Sequence, residues 1–201
     1  MNYPTTINNL IECFKHLPGI GERTAERLVL SLLDADDSLI DLFSQSLSSL
    51  KQNVKRCECC YSYTENSLCN ICSDKNRNTE IICVVENPKD VIAIEKIGTF
   101  HGRYHVLDGL ISPINGKNPE DLNIKNLIQK VNNENVKEII FALTPNIEGE
   151  TTALYITKKL SNSNLKISKI AHGVPLGANM DYIDSLTLEM ALENRTIISN
   201  S

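Results

Sequence analysis

Residues 137–160 read KEIIFALTPNIEGETTALYITKKL. The first seven are a short apolar run of strand length, too brief for a helix of its own. Pro145, Asn146 and Gly149 then punctuate the chain, and EGETTALYITKKL resumes at helical spacing. A buried strand that runs through a turn into a helix is the repeating unit of a parallel sheet. The flanking sequence repeats it. IICVV (81–85) has the composition of a buried strand. PKDVIAIEKIG (88–98) is a helix opened by Pro88 and closed by Gly98. YHVL (104–107) and LKISKI (165–170) are further strands, and PEDLNIKNLIQKV (119–131) a further helix. The tail, YIDSLTLEMALENRTII, reads as a helix followed by a last short strand. This alternation predicts an α/β domain with a mostly parallel sheet covered on both faces, over residues 80–175, followed by a tail over 176–201.

Three acids stand after strands of this sheet. Glu86 ends the first, and Glu148 and Glu150 follow the third. Ligands of open parallel sheets gather beyond the C-terminal strand ends, so the three are candidates to converge on a cation. A two-metal phosphoryl-transfer site needs several carboxylates, however, and here Thr144 and Asn146 offer only neutral oxygens. Glu148 and Glu150 also suit the first turn of a helix, where acids complement the macrodipole. No G-x-x-x-x-G-K-[ST] stretch occurs, so there is no P-loop. His16, His101, His105 and His172 show no metal-ligand spacing and are expected to be structural.

The first 52 residues have a different rhythm. Ile7, Leu10, Ile11 and Phe14 recur at helical spacing, LPGIG (17–21) breaks the pattern, and Ala25, Leu28, Val29 and Leu32 resume it. DADD (34–37) opens a third helix that carries Leu39, Leu42, Phe43, Leu47 and Leu50. Gly19 and Gly21 permit a tight turn that ends at a helix N-terminus, where free N–H groups favour a phosphate. Arg23 and Arg27, one helical turn apart, share a face that can bracket a nucleic-acid backbone. An ordinary helical hairpin would have the same glycines, and Glu22 and Glu26 dilute the charge.

Between these regions, residues 53–79 are polar and rich in cysteine. The spacing Cys57-x2-Cys60, eight residues, Cys69-x2-Cys72 places four thiolates for one tetrahedral Zn²⁺. With no open position, such an ion is structural. Disulfides or a redox pair remain the alternatives. Cys59 is taken as a bystander, although it can stand in for Cys57 or Cys60, and Cys13 and Cys83 as small core residues. Seven cysteines, an odd number, in a chain with no secretory pattern at its start argue for metal over a disulfide framework. Twenty Lys+Arg against 25 Asp+Glu give a net charge of −5. That balance argues against a chain coated in nucleic acid but not against a local basic face. No apolar run approaches the roughly 18 residues of a membrane-spanning helix, and the cytosol is the expected compartment.

Taken in order, LPGIGERTAERL (17–28), CECCYSYTENSLCNIC (57–72), YHVLDGLISPINGKNPEDL (104–122), TPNIEGETTA (144–153) and HGVPLGANMDYID (172–184) resemble the bacterial recombination mediators of the RecR family. The resemblance covers nearly the whole chain. It implies a helix-hairpin-helix that binds single- and double-stranded DNA without sequence preference, with Gly19, Gly21, Arg23 and Arg27 at the contact. It implies a four-cysteine zinc finger at Cys57, Cys60, Cys69 and Cys72, and a Toprim domain whose upstream acid is Glu86. The two aspartates of catalytic Toprim enzymes fall on Thr144 and Asn146, a departure that RecR-type sequences share. Glu86, Glu148 and Glu150 then become candidates for partner contact or weak cation binding. Asp181 and Asp184 lie in a Walker-B-like segment expected to act in assembly. The family implies a ring-shaped homotetramer in the bacterial cytoplasm, associated with the nucleoid. It would act with RecO, and in many bacteria RecF, to load recombinase on single-stranded DNA. No catalytic residue is expected. The competing expectation is a metal-dependent Toprim nuclease or topoisomerase-like enzyme.

Overall fold

The computed structural model describes residues 3–160, 165–171 and 173–196. The chain forms two compact units that divide between Val54 and Lys55. In the first, helices α1 (Thr5–Lys15) and α2 (Glu22–Leu33) pack through Ile11, Ala25 and Val29, with Ile7, Phe14 and Ile20 around them. The stripes expected from spacing therefore meet. Helix α3 (Asp37–Asn53) forms where expected, yet none of its residues is buried. Leu39, Leu42, Phe43, Leu47 and Leu50 are 48–64% exposed. Cys13, expected in the core, is also exposed on α1. It follows Glu12 and lies away from the Ile7–Ile11–Phe14 face.

The second unit begins with a small module. Strands β1 (Lys55–Arg56) and β2 (Tyr63–Thr64) form a short antiparallel ladder, and α4 (Asn70–Ser73) is one turn long. Then come β3 (Asn78–Val85), α5 (Pro88–Glu95), β4 (Gly102–Val106), α6 (Ile124–Asn133), β5 (Glu138–Ala142), α7 (Ile147–Lys159) and β6 (Lys166–Lys169). The four long strands make one sheet in the order β4-β3-β5-β6, and every pairing is parallel. Successive residues of β3 serve opposite faces. Ile82 and Val84 join Ile139, Phe141, Leu127 and Ile156 under α6 and α7. Cys83 and Val85 join Tyr104, Val106 and Val91 toward α5. Cys83 thus meets its expectation as a core residue, and burial pushes its thiol up to about 12.

One helix starts later than its spacing predicts. Pro119–Asp121 is a separate 3₁₀ turn, closed by reciprocal bonds between Asn118 and Asp121. Leu122 is extended and 5% exposed, and α6 begins only at Ile124. Burial of Leu122 and the bond from the Asn123 amide to the Val106 carbonyl (3.1 Å) break what reads as one helix. In the tail, α8 (Ser185–Glu193) forms as expected. The strand expected after it falls largely on residues 197–201, outside the described residues.

His105 is fully buried in β4. Its Nε2 bonds the Asn123 carbonyl at 2.8 Å, and its Nδ1 has no partner among the described residues. Burial, aided by the charge of Lys130, pushes its pKa down to about 4. A histidine in the unfolded chain protonates near pH 6.5, so the stability of the buried neutral form is whole above that pH and is lost as pH falls toward 4. The stability of the wild type relative to His105→Gln, which keeps an N–H donor, should fall by about 1 kcal/mol between pH 7 and 5.5. Urea unfolding at both pH values measures the difference; a pH-independent gap would exclude a neutral His105.

Candidate metal centre and nucleic-acid interface

The module before β3 holds almost nothing apolar except sulfur. Cys57, Cys60, Cys69 and Cys72 are all buried, and their sulfurs lie within 4.8 Å of one another. That is the spacing that four thiolates about 2.3 Å from a common ion require. Two tight turns create it. The Cys57 N–H donates to the Ser62 carbonyl and the Tyr61 N–H returns to the Cys57 carbonyl (3.0 Å), while Cys69 begins α4 and its N–H donates to the Cys57 sulfur at 3.3 Å. All seven cysteines are free thiols, so the disulfide alternative is not realised. Four buried thiols with no water-facing position fit a closed structural Zn²⁺ site. Among the described residues no other cluster of three or more His, Cys, Asp or Glu side chains could hold a metal.

This module is joined to the sheet at edge strand β4. The Val106 N–H donates to the Cys60 carbonyl at 2.8 Å. Arg56 pairs with Asp108 at 2.6 Å, and Asp108 sits just past β4 at φ 68. Lys130 of α6 donates to the Cys59 carbonyl at 2.6 Å. The Tyr61 ring meets His105 edge-on at 5.4 Å, and its hydroxyl accepts from Asn126. Sequence reasoning missed Arg56, Asp108 and Lys130, because each acts across 52 or 71 residues of chain and no local pattern marks such a pairing. Cys59 lies outside the group of four, as expected of a bystander to ligation, and packs against it.

In the helical unit, Gly19 takes φ 80, the left-handed backbone that makes the turn into α2. Gly21 is the N-cap of α2, and no side chain caps that end. The first-turn N–H groups are thus available to an anion. Arg23 and Arg27 are exposed and form no ion pair among the described residues. The acids beside them are engaged elsewhere: Glu22 approaches Lys15 at 3.6 Å, and Glu26 accepts from the Tyr3 hydroxyl, raising the tyrosine pKa.

The acids of the sheet do not converge. Glu86 follows β3 and accepts from the Thr144 hydroxyl at 2.5 Å. Glu148 accepts from Ser112 and, at 3.5 Å, from the Asn115 amide. Glu150 pairs with Lys169 at 3.0 Å. Each is held by a different partner. The loop between them is tight. A Cβ on Gly149 would lie 2.0 Å from the Thr144 carbonyl oxygen, so only glycine fits between the two glutamates. Asn146 caps α7 by accepting from the Gly149 N–H at 2.8 Å. In the tail, Asp184 caps α8: its carboxylate accepts from the Thr187 N–H at 2.9 Å and from the Thr187 hydroxyl, which lower its pKa. Asp181 is exposed in the 3₁₀ turn Met180–Tyr182. His16 and His101 are exposed and His172 lies outside the described residues.

Comparison with known families agrees with this layout segment by segment. Residues 7–51 match the RecR helix-hairpin-helix, 54–74 the RecR four-cysteine zinc finger domain, 80–171 the Toprim domain and 173–196 the RecR C-terminal model. The chain belongs to the RecR family. The four cysteines are accordingly its zinc finger, placed to bind one Zn²⁺. The RecR architecture assigns the chain to recombination repair as a non-catalytic mediator, and its helix-hairpin-helix and zinc finger indicate DNA binding. No helix is long and apolar enough to cross a membrane among the described residues.

Two measurements check the site. Cys69→Ala should reduce bound zinc from one ion per chain to none and lower the urea midpoint, read by a chromogenic chelator and by circular dichroism. Asn146→Ala should cost about 1 kcal/mol through loss of the α7 cap, whereas Asn146→Asp, which keeps an acceptor there, should cost little.

Proposed function

We propose that this chain is a recombination mediator that binds single- and double-stranded DNA without sequence preference. In this reading it works as an oligomeric clamp and, with RecO and in some settings RecF, helps load recombinase on single strands. The observation that carries the reading is the hairpin: Arg23 and Arg27 stand exposed, with no ion pair among the described residues, beside an uncapped, glycine-led helix N-terminus, and Glu22 and Glu26 are drawn to other partners. Backbone N–H groups at Gly21 and the following turn would take a phosphate, and the two guanidiniums its neighbours. Such contacts ignore base identity and release counterions.

The remaining assignments follow from the same architecture. The helical region is taken as residues 1–52, the zinc module as 53–79, the Toprim domain as 80–175 and the tail as 176–201. The apolar face of α3 supports a homo-oligomer, for which a tetrameric ring is the proposed form. It borders a groove of about 500 Å³ lined by Leu10, Val29, Leu33, Ile40, Phe43 and Leu47. A surface of this kind in water favours association. Glu86, Glu148 and Glu150 are proposed as partner contacts, and Asp181 and Asp184 as part of the assembly segment, Asp184 through its cap. The compartment is the bacterial cytoplasm, at the nucleoid. Metal-dependent strand cleavage is not favoured: the acids sit in three separate hydrogen-bonded settings, and Thr144 and Asn146 hold the positions where cleavage chemistry needs carboxylates.

The double variant Arg23→Ala/Arg27→Ala tests the reading. Fluorescence anisotropy with a labelled duplex across a salt series should show the slope of log K against log salt reduced by about 1.8 per engaged subunit, with weaker binding at low salt. An unchanged slope would remove these two residues from the interface.

A further inference from the structure

The bonds that join the zinc finger to β4 do not end at the strand. Arg56 stands immediately before the ligand Cys57. Its guanidinium donates to the Tyr61 carbonyl at 3.0 Å and lies 4.6 Å from the centroid of the Tyr63 ring, both within the finger. The same group reaches out of the finger to Asp108 at 2.6 Å. Asp108 opens a loop over residues 108–117. It takes φ 68, a backbone that a residue other than glycine keeps only where its surroundings hold it. Its N–H and that of Gly109 donate to the Glu86 carbonyl at 3.0 and 3.2 Å, and its own carbonyl accepts from Lys117 Nζ at 3.1 Å. Lys117 closes the loop, because its backbone N–H and C=O pair with those of Ser112. The Ser112 hydroxyl then donates to Glu148 in the first turn of α7, and the Asn115 amide donates to the Ser112 hydroxyl at 2.8 Å. Ile114 at the tip is 98% exposed and packs on nothing. Polar bonds alone thus hold the tip.

We propose that zinc occupancy of the finger is coupled, through Arg56 and Asp108, to the order of the 108–117 loop and so to the seating of Glu148. The finger is the two-state element that such coupling needs. With so few apolar side chains it is ordered when its thiolates are ligated and loses its turns when they are not. Loss of the turns moves Arg56, which is held by Tyr61 and Tyr63 of the same knuckle, and withdraws the Cys60 carbonyl from the Val106 N–H. Asp108 then loses its cation, and the loop loses the bond that fixes its first residue. The change stops at the middle of the loop. Leu110 and Ile111 are buried, and the Ile111 N–H donates to the Thr152 hydroxyl of α7 at 2.9 Å, a bond the finger does not touch. Coupling between two sites is reciprocal, so breaking the Asp108 contact must in turn weaken zinc binding. That makes Asp108 a positioning residue for a metal site to which it gives no ligand. The coupling stands apart from the proposed role of Glu148 as a partner contact, and neither of its readouts involves a partner.

The test uses the full-length chain in two measurements. Hydrogen–deuterium exchange by mass spectrometry compares the zinc-loaded wild type with the same protein after chelation. Peptides covering 106–118 should exchange about tenfold faster without zinc, while peptides of α7 over 150–159 keep their protection. Unchanged exchange at 106–118, or an equal rise in α7, would overturn the proposal, the second because it reports general unfolding. Competition with a chromogenic chelator then compares zinc affinity in the wild type and Asp108→Gly. Glycine adopts φ 68 without strain, so this variant removes the carboxylate and leaves the turn. It should bind zinc about fivefold more weakly. Equal affinity would remove Arg56 and Asp108 as the route. The wild-type exchange comparison decides the coupling whether or not the variant folds.

Discussion

A parallel sheet leaves a row of unpaired N–H and C=O groups along each outer strand, and β4 is an outer strand here. The zinc module meets that constraint. The Val106 N–H, at the end of β4, finds its acceptor on Cys60, a metal ligand. Arg56, Tyr61 and Cys59 attach the same knuckle to Asp108, Asn126 and Lys130. A segment so poor in apolar side chains has no core of its own, and metal binding supplies its folding free energy. The metal therefore does more than close a small finger. It makes the finger rigid enough to serve as the edge of the α/β domain, and to seal His105 in a site too dry to charge.

The loop beyond β3 and β5 is where ligands gather in open parallel sheets. In this chain it is closed upon itself. The Thr144 hydroxyl donates to Glu86, which would face electrostatic repulsion if a second carboxylate stood there without a cation. Asn146 spends its side chain on the α7 N-terminus, and Ser112 holds Glu148. The hydrogen bonds that a metal would organise are thus made by hydroxyl donors at Glu86 and Glu148 and by the Lys169 ammonium at Glu150. The result is a loop whose acids are already engaged by its own neighbours, with Glu150 paired to a lysine.

Much of this was legible in the sequence, for physical reasons. Buried parallel strands such as IIFAL and IICVV are continuous apolar runs, and their alternation with helices leaves few topologies. The paired C-x-x-C spacing is nearly sufficient by itself, since a tight knuckle and a tetrahedral ion define one another. What failed to read depended on contacts between distant segments. Periodicity makes Leu39 to Leu50 an apolar stripe but cannot say that it stays exposed within its own unit. PEDLNIKNLIQKV looks like one helix, because nothing local reveals that Leu122 is needed in the core. The three glutamates share a position in the topology, yet Ser112, Thr144 and Lys169 separate them, and no spacing rule names those partners.

The acidic net charge has a physical role in the proposed mode of DNA binding. Two guanidiniums and one helix N-terminus neutralise few phosphates, so a single chain would bind weakly and lose its grip as salt rises. Strength must then come from several such hairpins acting on one duplex, each raising the effective concentration of the next. That requirement ties DNA binding to assembly: the apolar face of α3 and the exposed arginines belong to one helical unit, and burying the first against another copy is what would multiply the second. Acidic residues elsewhere then disfavour adventitious contact with nucleic acid outside the clamp. On this reasoning a variant that stays monomeric would bind DNA poorly even with Arg23 and Arg27 intact, because its deficit is one of valence and not of chemistry.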